Sequence, residues 1–78
     1  MPKVLLVGSF RFYFYSGDRN EPPHVHVAAH ASVAKFWLDP VRYHSSKGFS
    51  TVDIRRIERI IYSHAEMLIK AWNDHFYS

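Results

Sequence analysis

Two histidines separated by a single residue are the most chemically distinctive feature of the chain. His24 and His26 flank Val25 in a stretch where polar and apolar residues alternate, which is typical of a β-strand. Side chains two positions apart in a strand share one face, so the two imidazoles are expected to lie about 6–7 Å apart. Because imidazoles exchange protons near neutral pH, the pair predicts either acid–base chemistry or a contact surface on this strand.

Acid–base chemistry on RNA is one hypothesis for the pair. One histidine would act as general base and the other as general acid in cleavage at the 2′-hydroxyl beside a phosphate. A nearby cation, Arg11 or Lys35, would stabilise the charge that develops on the phosphate in the transition state. The residues with catalytic roles in this hypothesis are His24, His26, Arg11 and Lys35.

A transition-metal ion is an alternative occupant of the histidine pair. A third ligand would then be required, and Asp18, Glu21 and His30 are candidates that the spacing does not decide between. A His-X-His pair is by itself a pattern of low specificity. The sequence therefore predicts no metal site and no cofactor.

The elements that must position these residues form an α+β fold. We predict a small antiparallel sheet of three to four strands with one long C-terminal helix packed on one face. Strands are expected over residues 3–7, 10–15, 24–29 and 33–38, with 41–43 as a further short candidate. Ser50 resembles a helix N-cap, and apolar residues then recur at helical spacing to about Phe76, a length of ~38 Å.

One helix can cover only one face of such a sheet, so the opposite face is expected to stay exposed. Alternation along the strands places seven cationic, aromatic or imidazole side chains there: Arg11, Tyr13, Tyr15, His24, His26, Lys35 and Trp37. Exposed aromatic residues on an open face are typical of a binding surface. Tyr13, Tyr15 and Trp37 are therefore predicted to bind, since their rings can stack on the bases of a single strand.

Arginines on the predicted helix are further binding candidates. Arg55 and Arg59 lie in a stretch that also contains Arg56, and arginine side chains commonly contact phosphates. The alternative is a solvent-exposed helix face with local ion pairs, such as Arg55 with Glu58.

Length and composition limit the remaining options. A chain of 78 residues has room for one domain, residues 1–78, and its 47% hydrophobic content is too high for a disordered segment. The chain has no cysteine, which excludes disulfides and thiolate chemistry, and its net charge is a mild +3. The apolar run at residues 4–7 is too short for a signal peptide or a membrane span, so we expect a cytoplasmic protein.

Two runs of the sequence resemble a family of small bacterial proteins. They are PPHVHV at residues 22–27 and AKFWLDPV at residues 34–41. The similarity continues through residues 48–50 and the C-terminal helix, and so covers essentially the whole chain. The family is a domain of unknown function, and some members are called DhiT-like toxins. The chain departs from the family pattern at residues 4–7 and 43–45, which affects the choice of partner more than membership.

The resemblance implies a toxin of a bacterial type II toxin–antitoxin pair, which inhibits growth. Its implied partner is a small antitoxin protein from a neighbouring gene, which would cover the open face of the sheet. RNA is the hypothetical target, and a second copy of the chain is a further hypothetical partner. The alternative is a non-enzymatic module that binds nucleic acid or protein, for example a regulator of its own operon.

Overall fold

The computed structural model describes residues 3–77 and contains an antiparallel sheet followed by two helices. The strands are β1 (Lys3–Val7), β2 (Phe10–Tyr13), β3 (His24–Ala29), β4 (Ser32–Leu38) and β5 (Val41–Lys47). A 3-10 helix at Ser16–Asn20 connects β2 to β3. The helices are α1 (Thr51–Ser63) and α2 (Ala65–Tyr77). Neighbouring strands in the sheet are also consecutive in the chain, in the order β1-β2-β3-β4-β5.

The α+β class is confirmed, but the sheet has five strands rather than three to four. The additional extent comes from β5, which pairs with β4 along its whole length. Its first residue, Val41, is buried and every other residue is exposed. Backbone hydrogen bonds therefore hold this edge strand without the alternation of apolar residues that identifies β2, β3 and β4.

The prediction of a single long helix is wrong, because the helical segment is interrupted at His64. The backbone there leaves the helical region (φ −117°, ψ 15°), and the imidazole Nδ1 donates to the carbonyl of Ile60 at 2.8 Å. Ile61 and Leu68 stand two full helical turns apart, so the apolar stripe stays in phase across the break. The spacing of the apolar residues therefore does not reveal the break in the helix.

The core lies between the two helices and one face of the sheet, as predicted. The helices contribute Ile57, Ile61, Leu68 and Trp72, all with at most 1% of their surface exposed. The sheet contributes Phe12, Phe14, Val25, Val27, Ala34, Phe36, Leu38 and Val41. Each fully buried large apolar side chain stabilises the fold by about 1.5–3 kcal/mol. The predicted N-cap is also confirmed, since Ser50 Oγ accepts from the Asp53 amide at 3.1 Å.

Substitution of Gly48, which follows β5, tests the turn at the end of this strand. Its φ of +95° lies in the left-handed region, and an added Cβ would lie 2.5 Å from Ser32 Oγ. At Gly17 no atom of the described residues lies within 4 Å of an added Cβ, and Gly17 is therefore the matched control. We expect Gly48→Ala to lower the free energy of unfolding by about 1–3 kcal/mol. Gly17→Ala should change it by about 0.5 kcal/mol or less. Urea unfolding followed by circular dichroism measures both, and equal stabilities would contradict the assigned turn.

Candidate functional site

The strand register arranges the side chains opposite the helices in rows across the sheet. In the central row Tyr13 pairs with His26, His26 with Lys35, and Lys35 with Ser45. A second row contains Arg11, Ala28, Val33 and Lys47. A third row contains His24, Trp37 and Arg42. With neighbouring strands about 4.8 Å apart, a row of four residues spans about 14 Å.

A shallow groove of about 310 Å³ crosses this face. We call it the Tyr–Lys groove, and its principal lining residues are Tyr13, Tyr15, His26, Lys35, Ser45 and Lys47. The imidazole of His26 stacks on the ring of Tyr13, with centroids 5.6 Å apart, and Tyr15 meets it edge-on at 4.5 Å. A second cavity of about 230 Å³ adjoins through Tyr13 and is also lined by Lys3, Arg11 and Ala28.

The prediction that His24 lies on an exposed face is wrong, because its side chain is fully buried. It is the first residue of β3, at the end of the sheet, and its ring centroid is 4.9 Å from that of Trp72 on α2. The 3-10 helix closes over the same end, so this part of the face is covered by a segment that the sequence pattern shows only as a loop. In this conformation the His24 ring does not reach a substrate.

The 3-10 helix brings one carboxylate against both histidines. Asp18 Oδ2 lies 3.0 Å from Nε2 of His24 and 3.0 Å from Nε2 of His26. The same oxygen accepts a hydrogen bond from the backbone amide of Tyr15 at 3.0 Å. Of the three candidate third ligands, the structure therefore joins Asp18 to the pair. Glu21 Oε1 pairs with Lys35 and lies 3.9 Å from Nδ1 of His24, the ring nitrogen that bonds the Pro22 carbonyl. His30 lies beyond the opposite end of β3.

Burial and the neighbouring groups set the protonation states of Asp18 and His26. Partial burial raises the pKa of Asp18, but the Tyr15 amide and the two imidazoles lower it more, so the net shift is below its ordinary value. Burial lowers the pKa of His26, and the attraction of Asp18 does not offset this. At neutral pH the carboxylate is therefore ionised, and a neutral His26 donates its Nε2 hydrogen to it. Burial, followed by a hydrogen bond with Tyr15, raises the pKa of Tyr13 to about 12.

His24 has a different hydrogen-bond pattern from His26. Its Nδ1 lies 2.9 Å from the carbonyl oxygen of Pro22, and because a carbonyl only accepts, Nδ1 carries the hydrogen. In the neutral ring Nε2 then has a free lone pair. This atom is buried and has no hydrogen-bond partner among residues 3–77, although Asp18 Oδ2 is near it.

Lys35 and Trp37 are less available for a ligand than the other predicted residues on this face. The Lys35 Nζ lies 2.6 Å from Glu21 Oε1 and 4.8 Å from the centroid of the Trp37 ring. The Trp37 ring also contacts His24 and His44, with centroids 5.6 Å and 5.2 Å away. Exposed Tyr15 and Arg11 remain accessible.

The structure separates the helix arginines from the groove. Arg55 borders another cavity, between the start of α1 and β5, and Arg59 is exposed on α1. Sequence reasoning missed Lys47 and Ser45, which do line the groove. A prediction of β5 at its full length would have included them, because alternation along a strand places every second residue on the open face.

The site and fold together define a small α+β protein with a carboxylate–histidine cluster beside a groove of tyrosines and lysines. Residues 9–73 match the family model described as "Domain of unknown function (DUF4160)", and the chain belongs to this family. The matched range includes the whole cluster and the groove. No curated protein and no solved structure matches the chain. Within residues 3–77, neither helix has the length and apolar character that crossing a membrane would require.

Burial of His24 leads to a stability prediction. His24→Ala removes a ring packed against Trp72 and leaves a cavity, so the free energy of unfolding should fall by about 2–4 kcal/mol. His44→Ala is the control, because His44 is exposed on β5 and should change stability by about 0.5 kcal/mol or less. Urea unfolding in the presence of a chelator compares the two variants. Equal stability of His24→Ala and the wild type would show that the ring is not buried.

Proposed function

We propose that this protein is the growth-inhibiting component of a toxin–antitoxin pair and that it acts by binding single-stranded RNA in the Tyr–Lys groove. The observation that carries the RNA-binding part is the presence of exposed Tyr15 and Lys47 in one groove with His26. Aromatic rings stack on unpaired bases while cations contact the backbone phosphates. The resemblance of residues 22–27 and 34–41 to DhiT-like toxins supports the growth-inhibiting part.

The geometry of the open face favours an extended ligand over a small molecule. Arg11 and Lys47 stand at the two ends of one row, about 14 Å apart, with the Tyr13 ring in the neighbouring row. Sheets that bind single-stranded RNA place stacking rings on such a face and accommodate two or three bases. Since Glu21 neutralises Lys35, phosphates would contact Arg11 and Lys47 first.

A protein partner on the same face is the second candidate. Leu6 pairs with Arg11 across β1 and β2 and is 54% exposed, and Val33 in the same row is 44% exposed. Apolar side chains interspersed with cations favour a protein surface such as that of an antitoxin. An antitoxin bound there would exclude RNA from the groove, and the two candidates are therefore compatible.

RNA affinity tests the proposal directly. We expect a fluorescent single-stranded RNA to bind with an affinity that falls steeply as salt increases. Tyr15→Ala should weaken binding by about tenfold, the equivalent of ~1.4 kcal/mol of lost stacking. Lys47→Ala should also weaken it and reduce the salt dependence by about one phosphate contact. Glu21→Gln should strengthen binding because it releases Lys35.

The matched control for these variants is Lys70→Ala. Lys70 is an exposed lysine on α2 that pairs with Asp74, and its loss should leave RNA affinity unchanged. In a bacterial host, induced wild type and Lys70→Ala should arrest growth, and Tyr15→Ala/Lys47→Ala should not. RNA binding that does not change with salt would favour the protein partner over RNA. Equal losses of RNA affinity in Lys47→Ala and Lys70→Ala would contradict the groove as the RNA-binding site. Unaffected growth at confirmed soluble expression of the wild type would contradict the toxin role.

A further inference from the structure

We propose that Asp18, His24 and His26 form a binding site for one divalent transition-metal ion such as Zn²⁺. The proposal rests on the cluster itself and stands independently of RNA binding. One ligand atom from each of the three residues lies within 4.8 Å of the others. Two imidazole nitrogens and a carboxylate oxygen suit zinc and its neighbours in the first transition series better than Ca²⁺ or Mg²⁺.

Two of the three distances between the ligand atoms are close to those of a coordination shell, and the third, between the two histidine nitrogens, is at most 4.8 Å. Asp18 Oδ2 lies 3.0 Å from each histidine Nε2. In a tetrahedral zinc site with Zn–N distances near 2.0–2.1 Å, neighbouring ligands stand about 3.3 Å apart. Small rotations of the three side chains would therefore suffice to admit the ion.

The orphaned nitrogen of His24 is a second and independent observation. Its side chain is fully buried, and its Nε2 has no hydrogen-bond partner in the part of the chain that the structure describes. The lone pair on this nitrogen and the anionic oxygen of Asp18 are held 3.0 Å apart, which is unfavourable without a cation or proton between them. A metal ion converts this contact into two coordinate bonds. It also explains why an imidazole is buried where a hydrocarbon side chain would pack.

Hydrogen bonds already orient the cluster for a metal. Histidines that ligate metals usually donate their other ring N–H to a carbonyl or carboxylate, and His24 donates Nδ1–H to the Pro22 carbonyl at 2.9 Å. The loop that supplies this carbonyl is fixed to the sheet, since the Leu38 amide donates to the Pro23 carbonyl at 3.0 Å. The Tyr15 amide similarly fixes Asp18. Two of the three ligands, His24 and Asp18, are thus held in place by groups outside the cluster.

The site adjoins the Tyr–Lys groove through His26. His24 is sealed from solvent, whereas the His26 side chain is 16% exposed and lines the groove. An ion would enter from that side, and the coordination position not filled by protein would open toward the groove. Binding also requires His26 to offer the lone pair of Nε2, so the single hydrogen of its neutral ring moves to Nδ1 and no net proton is released.

Zinc titration of tag-free, chelator-treated protein tests the site. Calorimetry should show about one Zn²⁺ per chain, and Co²⁺ substitution should produce visible absorption bands typical of low-coordinate cobalt. Asp18→Asn and His26→Gln should each weaken zinc binding by about 100-fold or more, at least as much as losing a group that only orients a ligand. His44→Gln, which removes an exposed histidine, is the matched control and should bind like the wild type.

Absence of zinc binding to the wild type would overturn the site, as would retained affinity in both ligand variants or equal loss in His44→Gln. Circular dichroism verifies that each variant is folded. If Asp18→Asn does not fold, His26→Gln decides, because His26 is partly exposed and its loss leaves the core intact. RNA affinity measured in excess chelator separates the two proposals. A chain that binds RNA but no zinc overturns only the metal site, and one that binds zinc but no RNA overturns only the RNA-binding proposal.

Discussion

A single carboxylate oxygen connects the 3-10 helix to the end of the sheet that carries both histidines. Asp18 Oδ2 accepts from the Tyr15 amide and lies 3.0 Å from both imidazoles of β3. These contacts hold the 3-10 helix over the first residue of that strand. Trp72 also packs against the His24 ring, and the central strand, the connecting loop and α2 therefore meet at one buried imidazole.

This arrangement divides the uncovered face of the sheet into two parts. At one end the 3-10 helix and α2 enclose His24, and the cluster that it forms with Asp18 and His26 is largely buried. At the other end Arg11 on β2 and Lys47 on β5 are exposed to solvent, with Tyr13 and Lys35 partly buried beside them. His26 belongs to both parts, since it contacts Asp18 on one side and stacks on Tyr13 on the other. A ligand in the groove and an ion in the cluster would share this residue.

The sequence predicts what depends on local pattern and misses what depends on distant contacts. Alternation in β2, β3 and β4 assigns Phe12, Val25 and Phe36 to the covered face, because a half-buried strand displays its faces every second residue. Burial of His24 depends on Trp72, which is remote in sequence and which no spacing connects to it. The role of Asp18 depends on the conformation of a loop, and spacing leaves it equal to Glu21 and His30.

The remaining differences have the same origin. Strand β5 is held by backbone pairing, which leaves no apolar pattern to detect, so Lys47 and Ser45 were not predicted as part of the face. The interruption at His64 arises from one imidazole that bonds a helical carbonyl while the apolar stripe continues in phase. In both cases the decisive interaction involves the backbone, and hydrophobic periodicity does not report on it.

Nitrogen NMR of the histidine rings is the most direct test of the cluster that Asp18, His24 and His26 form. Long-range proton–nitrogen correlation spectra of uniformly ¹⁵N-labelled, metal-free protein at neutral pH distinguish the two tautomers and the charged form. We expect Nδ1 of His24 to carry a hydrogen, because the Pro22 carbonyl beside it can only accept. We further expect one equivalent of Zn²⁺ to shift the Nε2 signals of His24 and His26 while those of His44 are unchanged. A His24 Nδ1 without a hydrogen, or Nε2 signals of His24 and His26 that Zn²⁺ leaves unchanged, would contradict the described cluster, because the ring would not be oriented by Pro22 or the histidines would not ligate the ion.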